Sequence, residues 1–149
     1  MSFTVSMIST SSYSNSANND VEYAYDFTNM EEGQYEVSFT YRGGQNHLDS
    51  TDLALVYVDW GTGSTATRAN GSVSAQRTQF MGFLHNQYNT NTDGYLFANL
   101  NDNPNVFLNS KINGNIIRVR LLTIAGVPFT THALQNPADY VFTLQFRKI

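Results

Sequence analysis

Apolar and polar residues alternate with period two along most of this chain, the spacing of strands with one buried face. Phe3, Val5 and Met7 alternate with polar neighbours and predict a short first strand. Val21, Tyr23, Tyr25 and Phe27 alternate with Glu22, Ala24 and Asp26, a half-buried strand with an acidic outer face. After a turn at Gly33, the residues Tyr35, Val37, Phe39 and Tyr41 repeat the pattern up to Gly43-Gly44. Asp52–Trp60 is apolar on both faces, which suits a central strand covered from two sides.

Further strands are expected at Gln79–Leu84, Tyr95–Leu100 and Val106–Leu108. Asn113-Gly114 reads as a tight turn that wants positive φ, and it feeds the longest apolar run, Asn115–Ile124. Ala125-Gly126-Val127-Pro128 breaks that run. Tyr140, Phe142, Leu144 and Phe146 then alternate with Val141, Thr143, Gln145 and Arg147. Eight or nine strands without a convincing helix point to an all-β fold, a two-sheet antiparallel β-sandwich. A single jelly roll is the expected topology, with an immunoglobulin-like sandwich as the alternative. Ser9–Asp20 is too polar to bury a face and reads as a loop. Residues 1–20 are therefore expected to form an N-terminal strand and a flexible polar arm, and residues 21–149 a single β-sandwich domain.

Composition sharpens this picture. At 149 residues the chain can bury a sizeable core as one domain. Only 13% of residues are charged, so its polarity comes from 17 Asn, 15 Thr and 13 Ser. Ten Phe and nine Tyr argue against a disordered chain. The absence of Cys excludes disulfide scaffolds, thiolate zinc sites and thiol nucleophiles. No apolar run approaches the roughly 18 residues of a transmembrane segment. The opening residues Met1–Val5 lack the basic and apolar regions of a signal peptide. Charge is unevenly spread: residues 1–60 carry nine acids against one base, and residues 61–149 carry seven bases against three acids. Either the two halves present different faces, or they interleave and the dipole cancels. The bases form close pairs only at Arg118/Arg120 and Arg147/Lys148, which is no stripe for direct contact with nucleic acid.

Candidate chemistry is sparse. His47, His85 and His132 are far apart and form no metal-binding motif. No Gly-x-Ser-x-Gly turn presents a nucleophile, and the adjacent Glu31 and Glu32 read as a solvated loop rather than an acid/base pair. Asn89-x-Asn91-x-Asp93-Gly94 resembles the start of a calcium loop, but Leu100 stands where the bidentate Glu is required. The sequence therefore predicts no enzyme, no cofactor and no metal. Trp60, Tyr88 and Tyr95 are the aromatic rings that a carbohydrate- or receptor-binding module would stack on a ligand. In the core reading, Trp60 instead closes a buried strand.

Three segments carry a family resemblance. Ile116–Leu122, then Gly126-Val127-Pro128, then Pro137–Phe146 (P-A-D-Y-V-F-T-L-Q-F) resemble the closing strands of jelly-roll minor capsid proteins, the penton and cement types of large icosahedral double-stranded DNA viruses of eukaryotes. The resemblance implies a structural protein of the virion, assembled in the host cytoplasm, that stabilises the icosahedral shell. Its implied partners are the major capsid protein, at capsomers or vertices, and other minor capsid proteins, with a homo-oligomer also open. In that setting Phe3–Asp20 is expected to act as a partner-binding arm through Phe3, Val5, Met7 and Tyr13. Lys111–Ile124 and Asp139–Ile149 are expected to form the core's closing strands.

Overall fold

The period-two pattern becomes ten strands in the computed structural model, which describes residues 1–9, 18–48, 53–60, 78–88, 93–131 and 136–149. They are β1 (Ser2–Ser9), β2 (Asp20–Ala24), β3 (Tyr35–His47), β4 (Leu55–Asp59), β5 (Thr78–Phe83), β6 (His85–Tyr88), β7 (Asp93–Ala98), β8 (Val106–Leu108), β9 (Ile116–Leu122) and β10 (Tyr140–Lys148). Every pairing is antiparallel. One sheet has six strands in the order β1-β10-β3-β7-β6, with β8 also paired to β3. The other has four, in the order β2-β9-β4-β5. Strands from the end of the chain thus lie between strands from its start: β10 between β1 and β3, and β9 between β2 and β4. That interleaving is the winding of a jelly roll; an immunoglobulin-like sandwich groups its strands differently.

The two sheets bury their inner faces against each other. Tyr140, Phe142, Leu144 and Phe146 all point inward and are almost completely buried, as their alternation predicts. They meet Val37, Phe39 and Tyr41 of β3, and Val56, Val58, Ile117, Val119 and Leu121 from the four-stranded sheet complete the core. Phe39 stacks on Phe142 at 5.4 Å, and Tyr41 on Tyr140 at 4.8 Å. The interleaving also settles the charge question. Asp20 pairs with Arg118, Glu31 with Lys148, Glu32 with Lys111 and Glu36 with Arg147. Each of these bridges joins an acid of the first 60 residues to a base of the last 40, so the sequence dipole folds against itself.

Several expectations are corrected. β1 pairs with β10 along one edge, and Val5 and Met7 turn their side chains into the core, so these residues build a strand of the sandwich. Phe3 stacks on Phe146 at 4.7 Å. Tyr13 lies outside the described residues. Gly114 does not take positive φ; among the described glycines Gly33, Gly82 and Gly126 do. β6 went unrecognised, since H-N-Q-Y has no apolar alternation and pairs only along an edge. The longest strand is β3, with 13 residues, rather than the 115–124 run.

The polar stretch after β1 hides a buried network. Asn18 is fully buried: its Oδ1 accepts from Ser9 Oγ at 2.6 Å, and its Nδ2 donates to the Pro137 carbonyl at 2.9 Å. Nearby, Asn46 Oδ1 accepts from the Ala138 N–H at 2.6 Å. Asn19 Nδ2 donates to the Phe129 carbonyl at 2.9 Å. Asn18 and Asn46 tie the ends of β1 and β3 to the entry of β10, and Asn19 ties the start of β2 to the segment after β9, where no ladder satisfies the backbone. Asn18→Ala removes the acceptor of the Ser9 hydroxyl and leaves the Pro137 carbonyl without its donor, so a urea titration is expected to show a loss of about 1–3 kcal/mol.

Candidate interaction surface

The outer face of the four-stranded sheet is the most distinctive surface among the described residues. β4 buries Val56 and Val58 and turns Leu55, Tyr57 and Asp59 outward, only half covered. Register then sets their neighbours. Leu55 lies between Leu122 and Phe83, and Tyr57 lies between Arg120 and Phe80. The Tyr57 and Phe80 rings are 5.3 Å apart. Phe80 remains 47% exposed and Phe83 39%, so both rings are available from solvent.

A bulge makes this arrangement possible. One extra residue in β5 shifts the register between Val56 and Tyr57, so Met81 and Gly82 both face inward. Phe80 and Phe83 therefore share the outer face, although strict alternation would separate them. Gly82 adopts φ +145°, which only glycine takes without strain, and the Asn103 side chain occupies the place where a Cβ would sit. Asn103 uses that proximity: its Oδ1 accepts from the Phe83 N–H, and its Nδ2 donates to the Phe83 carbonyl, each at 3.0 Å.

Charges border the apolar half of the face. Arg118 reaches Asp20 through a two-pronged pair, with Nε to Oδ1 at 2.7 Å and Nη2 to Oδ2 at 2.6 Å. That hydrogen-bonded pair raises the Arg118 pKa further above its ordinary value. Asp59 stands opposite Arg118, and Glu22 opposite its other side. The face is thus apolar at one end and mixed in charge at the other.

The aromatic residues singled out for ligand stacking do not gather. Trp60 is only 6% exposed and packs edge-on against Phe146 at 5.7 Å, so it closes the core strand instead of facing a ligand. Tyr95 is 39% exposed, but on β7 of the other sheet. The backbone of Tyr88 ends β6, and its side chain lies outside the described residues. A hollow of about 710 Å³ is lined by Asp26, Phe27, Thr28 and residues 111–115, yet Phe27, its one aromatic ring, is itself buried. Asp26 in that hollow accepts from the Thr28 hydroxyl and N–H, which holds its carboxyl below the usual range.

Other titratable groups serve the structure. His85 lies 3.4 Å from Asp102, whose carboxylate also accepts from the Asn99 N–H. His132 and residues 89–92 of the calcium-like segment are outside the described residues. Among the described residues no three His, Asp or Glu converge on a point that could hold a metal ion. Tyr23 and Tyr140 approach through their hydroxyls at 3.4 Å, and burial raises the pKa of both.

Sequence reasoning missed the outer sheet face although a signal was present. Asp52–Trp60 is apolar on both sides, as in a strand covered twice, and among the described residues only the side of Val56 and Val58 is fully buried. Compared with known proteins, the sequence matches no family model and no curated protein.

Proposed function

We propose that this chain is a non-enzymatic assembly protein, a minor capsid subunit that binds the major capsid protein and stabilises an icosahedral virus shell. The observation that carries the reading is the outer face of the β2-β9-β4-β5 sheet, where among the described residues Phe80 and Phe83 are exposed and Leu55, Tyr57 and Leu122 beside them are half-buried. Exposed apolar surface of this kind on a stable sandwich marks a permanent partner. The mixed charges of Asp20, Glu22, Asp59, Arg118 and Arg120 give the partner an orientation. The jelly-roll winding and the likeness of residues 116–146 to closing strands of minor capsid proteins point to a capsid as the assembly. Low charge with many amides and hydroxyls suits wet, long-lived contacts.

Quantitative mass spectrometry of purified virus particles tests the reading. The chain is expected at many copies per particle, cross-linked through its Asp and Glu side chains to the major capsid protein. Absence from particles overturns it. Phe80→Asp is expected to cost the isolated chain no more than about 1.5 kcal/mol, the value of one exposed ring pair. The same change puts a charge in the centre of the docking face and should cut incorporation at least about tenfold. Normal incorporation of Phe80→Asp would move the contact to another surface.

A further inference from the structure

Sheet edges are exposed rows of unpaired N–H and C=O groups, and folded proteins normally guard them. Three ends of these two sheets are guarded. β2 carries Asp20 and Glu22. β5 is bulged, and Asn103 occupies the N–H and C=O of Phe83. β6 has only four residues, with His85 held near Asp102. β1 differs: its eight residues, S-F-T-V-S-M-I-S, contain no charge and no proline, and its register with β10 runs without a bulge. Among the described residues no strand pairs with its other edge.

The direction of its backbone groups follows from the register. The Lys148 N–H donates to the Met1 carbonyl at 2.9 Å, so Met1 and Lys148 form a hydrogen-bonded pair. Such pairs alternate along an antiparallel ladder. Phe3, Val5, Met7 and Ser9 therefore bond to β10, and Ser2, Thr4, Ser6 and Ile8 direct their N–H and C=O groups to the free edge. The same four side chains lie on the exposed face of the sheet, and Ile8 is 61% exposed.

We infer that this edge pairs with β1 of a second copy of the chain, antiparallel about a two-fold axis at Val5. That register sets Thr4 opposite Ser6 of the second copy and Ser2 opposite its Ile8, which are the residues with free backbone groups. It sets Val5 opposite Val5 and Phe3 opposite Met7 on the buried face. Inner faces thus stay on one side, and the six-stranded sheets join into one continuous sheet. The strand is its own complement in hydrogen bonding, facing and charge, and a C2 contact requires all three. The inference goes beyond the capsid reading and does not depend on it: a dimer in solution with no place in particles would uphold one and sink the other.

Sedimentation velocity on the full chain from about 1 to 100 μM is expected to show a monomer–dimer equilibrium. Thr4→Pro deletes an N–H that points away from β10, so the ladder within the chain survives. It removes one hydrogen bond at each symmetric position and should weaken the dimer about tenfold or more. Thr4→Lys with Ser6→Lys places like charges directly opposite across the junction and should dissociate it. Thr4→Lys with Ser6→Glu places opposite charges there and should preserve it. A monomer at every concentration, or a dimer indifferent to these changes, overturns the inference. If Thr4→Pro fails to fold, the two charge pairs, which lie on the exposed face, still decide.

Discussion

Deleting residues 1–9 is expected to abolish cooperative unfolding. The deletion removes β1, whose register with β10 is unbroken from Ser2–Arg147 to Ser9–Tyr140. It takes Val5 and Met7 out of the core, each worth about 1.5–3 kcal/mol when fully buried. It also removes Phe3 from its stack on Phe146 and Ser9 from its bond to Asn18. The even-numbered residues of β10 lose their hydrogen-bonding partners, and Phe142 and Leu144 are opened to water. These losses together match the whole stability of a typical domain, about 5–15 kcal/mol. Thermal and urea melts followed by circular dichroism check the outcome. A sharp transition near the full-length midpoint would return the segment to the role of a separable arm.

Phe142→Ala is expected to cost about 3–5 kcal/mol, the largest effect of any single substitution considered. Phe142 is completely buried in β10, with Met7 of β1 on one side and Tyr41 of β3 on the other. Its ring also stacks on Phe39. Backbone pairing on both sides holds β10 in place, so the surrounding strands have little freedom to collapse into the cavity. A shift in the urea midpoint without a change in slope would report the loss as stability alone. A cost below about 1 kcal/mol would mean that the face is not the core.

Both predictions depend on β10, and they differ in how much of their basis was legible in advance. The inward face of Tyr140, Phe142, Leu144 and Phe146 can be read from alternation, because a strand's side chains switch sides at every residue. The role of β1 cannot. Phe3, Val5 and Met7 show that a strand exists, but its partner lies some 140 residues further along the chain, and alternation carries no information about pairing. The burial of Asn18 and Asn19 is not legible for a related reason: the Pro137 and Phe129 carbonyls that take their amides arrive from the far end of the chain.

The aromatic residues teach the same lesson. Trp60 closes a core strand, as its place at the end of an apolar run suggests, and its burial removes it from any stacking surface. Phe80 and Phe83 drew no attention because three residues apart is the wrong spacing for one face of a strand. The bulge at Met81-Gly82 restores that shared face, and the signal for it, a lone glycine in an apolar strand, gains meaning only from Asn103 on a distant turn.

By itself the sequence determined the class of this protein: all-β, a two-sheet sandwich, with β10 and β9 as core strands, because period-two burial is a local property of neighbouring side chains. Tertiary structure alone decided the winding of β1 beside β10 and the cancellation of the charge dipole. It also decided which side of β4 is only half-buried and which sheet edge is unpaired among the described residues. Those depend on contacts between the two ends of the chain, where hydrogen bonds and ion pairs form between residues that no local pattern connects.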